Sequence, residues 1–180
     1  KPIIFLKKNR KGQFYLIAAI VIISVVIGFA VISNSPKKNI PVKLYDLKQE
    51  LGIESANILE YGTYNELDET EMRALLQNFV TEYVAYAGTG RNLYFVFGNS
   101  GKIVIMAYQN LVNESASVNV GSGNIPLIID GSMQEFIPEG NDVIIKIEEN
   151  KYKFKLKAGE NFYFVISEAI EGEIYVVQSD

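Results

Sequence analysis

The segment from Phe14 to Ile32, FYLIAAIVIISVVIGFAVI, runs for 19 residues without a charge, and only Ser24 and Gly28 interrupt it. A bilayer core about 30 Å thick takes roughly 20 helical residues to cross. Backbone polar groups must bond internally in lipid, so a run of this kind is a helix. A buried helix of a soluble protein would keep a polar face, and this run has none. The sequence therefore predicts a transmembrane helix over residues 13–33.

Charge sets its direction. Residues 1–12 form a basic tail with Lys1, Lys7, Lys8, Arg10 and Lys11 and no acid, a charge of +5. Past the apolar run, 12 Lys and Arg stand against all 21 acids, a charge of −9. The basic flank belongs on the cytoplasmic side. Membrane lipid then surrounds residues 13–33, and the rest of the chain lies outside the cell membrane. Residues 34–41 follow as a linker, because Pro36 and Pro41 remove backbone donors and disfavour helix in the residues before them. An acidic outer part repels nucleic acid, which excludes that class of partner.

The junction carries a resemblance. Arg10, Lys11, Gly12 and Gln13, followed by the apolar run, resemble the class III signal of archaeal type IV pilin-like proteins. The resemblance implies an envelope protein, cut between Gly12 and Gln13 by a prepilin-type peptidase, with the apolar helix in a filament core or in the membrane. Two features depart from the family's pattern. Phe14–Ala18 holds none of the glutamates many pilins place there, and the proline-bearing linker interrupts a helix that pilins continue into the head. A plain signal anchor with a basic flank is the alternative reading of the same residues.

The outer part reads as α+β, with a helical part over residues 42–90 and a β-rich part over residues 91–180. Leu44, Leu47, Leu51, Ile58 and Leu59 recur at helical spacing, with a break expected near Gly52-Ile53 and an end at Tyr61-Gly62. In the second helix Asp68 and Glu71 have the spacing of a capping box. Met72, Leu75, Leu76, Phe79, Val80, Tyr83 and Val84 then form one stripe, which Gly88 and Gly90 end. Lys and Arg are nearly absent from its polar face, so packing on the domain's own sheet is expected rather than a lipid surface.

Strand patterns follow at 93–97, 102–108, 115–120, 125–129, 143–148, 151–157, 162–167 and 173–178. Gly98-Asn99-Ser100-Gly101 and Glu149-Asn150 read as hairpin turns. About eight short strands predict an antiparallel β-sandwich or barrel. Phe95, Phe97, Phe154, Phe162 and Phe164 fall inside these runs and are expected in the core.

Chemistry is bounded by what is missing. The chain has no His and no Cys, which removes His-based catalysis, thiolate nucleophiles, disulfides and the usual zinc ligands. No metal site or cofactor is expected. Asp130-Gly131-Ser132 and Asn141-Asp142 lack the spacing of a calcium loop and read as turns. Gly88-Thr89-Gly90 and Gly121-Ser122-Gly123 lack the lysine and the strand-to-helix setting of a phosphate loop. Asn113-Glu114-Ser115 is a glycosylation sequon, so Asn113 is a candidate acceptor. Lys151, Lys153, Lys155 and Lys157 alternate with Tyr152, Phe154 and Leu156. Period two puts the lysines on one face, either as an interaction patch for an anionic glycan or acidic partner, or as a solvated face guarding a sheet edge.

These observations predict a non-enzymatic, extracytoplasmic envelope protein, assembling as a pilin-like subunit with itself or with an envelope partner. A membrane-tethered ligand- or carbohydrate-binding β-sandwich module is the alternative. A tethered hydrolase working with carboxylates alone is a third reading, since paired acids suffice for glycoside hydrolysis.

Overall fold

The computed structural model describes residues 42–109 and 115–179, all within one compact unit spanning Ile40–Asp180. The expected span over residues 13–33, the Gly12-Gln13 junction and Asn113 lie outside the described residues. Among the described residues, no helix is long and apolar enough to cross a membrane.

Two helices come first, α1 (Val42–Tyr64) and α2 (Glu69–Ala87). Helix α1 buries Leu44, Leu47, Leu51 and Ser55 along one stripe. It runs unbroken through Gly52, contrary to the expected break. A glycine costs about 1 kcal/mol in a helix interior, and the buried stripe outweighs it, since tertiary packing supplies most helical stability. The helix also continues past Tyr61-Gly62, because Gly62 is buried beneath the Met72 thioether, where any side chain would collide.

Helix α2 starts as its sequence predicts. The Asp68 carboxylate accepts from the backbone N–H groups of Thr70 and Glu71 at 2.8 and 2.9 Å, and Glu71 accepts from the Asp68 N–H at 3.1 Å. This capping box satisfies three donors and sets negative charge at the positive end of the helix. The Tyr83 hydroxyl donates to the Leu47 carbonyl at 3.1 Å and ties α2 to α1.

Nine strands follow: β1 (Arg91–Gly98), β2 (Ile103–Gln109), β3 (Ala116–Asn119), β4 (Asn124–Pro126), β5 (Met133–Phe136), β6 (Asp142–Ile147), β7 (Asn150–Lys155), β8 (Asn161–Ile170) and β9 (Glu173–Gln178). They make two antiparallel sheets. Sheet 1 has the order β5-β2-β1-β8-β9 and sheet 2 the order β4-β3-β6-β7. The α+β reading is shown, with two helices followed by antiparallel sheets.

The layering comes from strand alternation. In β1, Leu93, Phe95 and Phe97 face the helices, while Tyr94 and Val96 face sheet 2. Both faces of the centre of sheet 1 are therefore apolar, and β1, β2 and β8 are largely buried along their length. The first core joins α1 and α2 to sheet 1 around Phe95, whose ring meets Tyr83, Tyr108 and Phe162 at centroid distances of 6.4, 6.3 and 6.0 Å. The second joins the sheets through Ile105, Val118, Ile145 and Phe154, with Phe154 stacked on Tyr163 at 5.0 Å. All five phenylalanines expected in the core are buried.

Three local differences have physical causes. The strand expected at 125–129 stops at Pro126, because the Gln134 side-chain amide takes the place of a strand partner, accepting from Ile128 N–H at 2.8 Å and donating to its carbonyl at 2.7 Å. Strand β5, which the sequence reading lacked, is an edge strand of mixed pattern that pairs with β2. The β6–β7 turn is Glu148-Glu149 rather than Glu149-Asn150, with Glu148 at φ 51° and Asn150 already paired with Ile147.

Candidate functional site

The β6–β7 hairpin assembles the most distinctive surface of the domain. Val143, Ile145, Ile147 and Phe154 point into the core between the sheets. By period two, Ile144, Lys146, Lys151, Lys153 and Lys155 then point outward. The register sets Lys146 directly opposite Lys151, Ile144 opposite Lys153, and Asp142 opposite Lys155. Like charges facing each other across an antiparallel pair are destabilising, so the sheet face bears a cost for this arrangement.

Neutralisation is partial. Lys153 Nζ lies 2.8 Å from Asp142 Oδ2, and Lys146 Nζ lies 3.6 Å from the exposed Glu149. Among the described residues, Lys151 and Lys155 have no carboxylate within ion-pair distance. Leu156, buried like Phe154, carries the chain off the strand, and Lys157 lies beyond its end, exposed. The structure thus brings together Lys151, Lys153 and Lys155, and sets Lys157 apart from the strand.

Lys146 belongs to this face although the sequence reading did not single it out, and Asp142, expected in a turn, opens strand β6 on the same face. The signal was the alternation within Val143–Ile147, which puts residue 146 outward. Its neighbours needed the hairpin register. Glu160, close to the lysines in sequence, accepts from the Asn99 amide at 3.0 Å, and Glu148 sits in the turn. The face also forms the edge of sheet 2, since β7 is the outermost strand. Lysines there block edge-to-edge pairing.

The helices carry the opposite charge. Residues 42–87 hold nine acids against Lys43, Lys48 and Arg73. Between α1 and α2 runs a surface valley of about 220 Å³ lined by Glu50, Glu54, Phe79, Glu82, Tyr83 and Tyr86. The Tyr86 hydroxyl donates to Glu50 Oε2 at 3.3 Å. That hydrogen bond, with the charges of Glu50 and Glu54, pushes the Tyr86 hydroxyl's pKa above its ordinary value. Burial pushes Tyr83 up too, and the same two glutamates add to it. Glu50, Glu54 and Glu82 are in no ion pair among the described residues.

A wider groove of about 570 Å³ runs beside α1, with Tyr45, Lys48, Gln49 and Ser55 on its wall and Phe162 and Phe164 on its floor. Among the described residues, β9 pairs with β8 only from Val165 onward, and no strand flanks Asn161–Tyr163 on that side.

The loops behave as turn chemistry predicts. The Asp130 carboxylate accepts from the Ser132 N–H at 2.8 Å, and its hydrogen bonds to Ser132 lower its pKa. Asn99 Oδ1 accepts from the N–H groups of Gly101 and Lys102 at 2.9 and 3.1 Å, closing the β1–β2 turn. Among the described residues, no group of three or more acids has the geometry to hold a metal ion. Glu54 and Glu82 are exposed to solvent. Comparison with protein-family models, with curated proteins and with solved structures gives no match.

Proposed function

We propose that this chain is a non-enzymatic envelope protein, anchored in the cell membrane through residues 13–33, with its N-terminus in the cytoplasm and its folded domain outside. In this reading the domain works by surface contact, as a pilin-like subunit does, and its two sheets serve as a β-sandwich that presents the lysine face. The observation that carries the reading is that face: Lys146, Lys151, Lys153 and Lys155 on one outward surface, with Lys151 and Lys155 lacking a carboxylate partner among the described residues. The uncharged run behind a +5 tail supports the topology.

Intact mass of the protein from its native membrane, combined with protease digestion of whole cells, tests it. Residues 42–180 are digested from outside while the apolar segment stays protected. A mass that begins at Gln13 supports prepilin-type processing, and retention of residues 1–12 supports a plain signal anchor. Resistance of the domain in intact cells overturns the topology.

The groove beside α1 favours a second reading, a membrane-tethered carbohydrate-binding module, because the exposed Tyr45 ring stands there beside the polar side chains of Lys48 and Gln49. A glycan array with the full chain in detergent tests it. Binding lost in Tyr45→Ala supports it, and no binding at high micromolar concentration removes it.

A further inference from the structure

We infer that the partner of the lysine face is the acidic helical face of a second copy of this chain, so that molecules associate head to tail. The inference rests on the surface-contact reading above and names its partner.

The helices cover one face of sheet 1, and sheet 2 covers the other. The outward lysines of sheet 2 and the outward carboxylates of α1 and α2 therefore lie on opposite surfaces of one compact unit. Between residues 42 and 87 the acids exceed the bases by six, whereas residues 142–157 hold five lysines against Asp142, Glu148 and Glu149. The domain is polarised across its thickness, and each surface is complementary to the other rather than to itself.

The unpaired groups match in kind. Lys151 and Lys155 present long alkyl stems ending in ammonium groups without an acid partner among the described residues. The valley on the helical face offers Glu50, Glu54 and Glu82 beside the rings of Phe79, Tyr83 and Tyr86. Aromatic walls take the stem and attract the cation, and carboxylates pair with it. The lysine cluster, costly by itself because Lys146 faces Lys151, is relieved when a negative surface covers it.

The positions of the surfaces decide the form of assembly. A contact between two different patches is heterologous, and it generates rings or open chains. Here the patches lie on opposite sides, so each contact leaves one free patch at either end and a dimer does not saturate it. Growth is open-ended. The contact is electrostatic, so it weakens as the screening length falls from about 10 Å at 0.1 M salt to about 3 Å at 1 M.

The test is sedimentation velocity of the full chain in detergent micelles, at low salt and at 1 M NaCl, over a hundredfold range of protein concentration. The expected result is a weight-average sedimentation coefficient that rises with concentration at low salt and stays flat at 1 M. K151E/K155E and E54K/E82K each abolish the rise. These side chains are exposed, and circular dichroism melts check that both variants stay folded. An equimolar mixture of the two variants restores the rise, because each now carries the complement of the other. A flat wild-type profile overturns the inference, as does a rise that both variants keep, or a mixture that stays flat. Binding of heparin by the wild type but not by K151E/K155E, without self-association, also overturns it and assigns the face to an acidic polymer. A correctly anchored protein that stays monomeric removes this inference alone. Salt-sensitive association of a protein whose domain is not outside the cell removes the topology alone.

Discussion

Arg91 and Glu168 stand directly opposite each other on β1 and β8, with guanidinium Nη2 2.8 Å from carboxylate Oε1. The side chains are 5% and 16% exposed. Arg91 Nη1 also donates to the carbonyl of Ala87, the last residue of α2. One side chain thus pairs a buried acid across the ladder and satisfies an orphan carbonyl at the negative end of a helix. Among the described residues, Arg91 Nε and Glu168 Oε2 have no hydrogen-bond partner, so the pair is incompletely satisfied there.

That arrangement predicts an asymmetry between single and double substitutions. Removing one member of a buried ion pair leaves an uncompensated charge and costs about 3–5 kcal/mol. Arg91→Met and Glu168→Leu should each lower the free energy of unfolding by that order. The double variant should recover most of the loss, because apolar side chains of similar volume replace a buried pair at little cost. Urea denaturation of the three variants checks it, and a double variant as weak as the sum of the singles would contradict it.

Phe95 is fully buried at the centre of the helix-side core, against rings from α2, β2 and β8. Phe95→Ala should cost about 3–5 kcal/mol, through lost transfer energy and the cavity left behind. Phe95→Leu should cost clearly less. Thermal melts followed by near-ultraviolet circular dichroism report the change directly, because the neighbouring tyrosines lose their fixed surroundings.

Asp68 bonds two backbone donors at the start of α2. Asp68→Ala should cost about 1 kcal/mol, and Asp68→Ser or Asp68→Asn should restore most of it, since all three polar residues cap well. Denaturant midpoints at constant slope measure this. A serine variant no better than alanine would assign the effect to charge at the helix end instead.

Alkali should destabilise the domain through Tyr83. Its hydroxyl is buried between the helices and donates to Leu47, so the fold holds it protonated and its pKa is raised. The contribution is complete below about pH 10, where an unfolded tyrosine ionises. It declines as pH rises toward the higher folded value, by up to about 1.4 kcal/mol per pH unit. Unfolding free energies between pH 9 and 12 should show this slope, and Tyr83→Phe should flatten it while costing about 1 kcal/mol at neutral pH. Equal slopes in both proteins would remove Tyr83 as the source.

Much of this domain was written in local sequence. The spacing of Leu44, Leu47 and Leu51, the Asp68–Glu71 box and the alternation at 151–157 each report a period, and a period fixes which side of an element is apolar. That sufficed for two helices, eight of the nine strands and the outward direction of the three lysines on β7. It also marked the apolar run and its basic flank, which rest on composition alone. Tertiary structure decided the rest. Arg91 met Glu168 across 77 residues of chain, and a hairpin register one residue away from the expected turn set Lys146 directly opposite Lys151. Helix α1 passed through Gly52 because its buried stripe held it, and β5 formed because β2 had a free edge. The separation of acid from base onto opposite surfaces likewise depends on which face of sheet 1 took the helices and which took sheet 2. Local periodicity states that a face must be buried; only the competition of all such faces for one another decides what covers it.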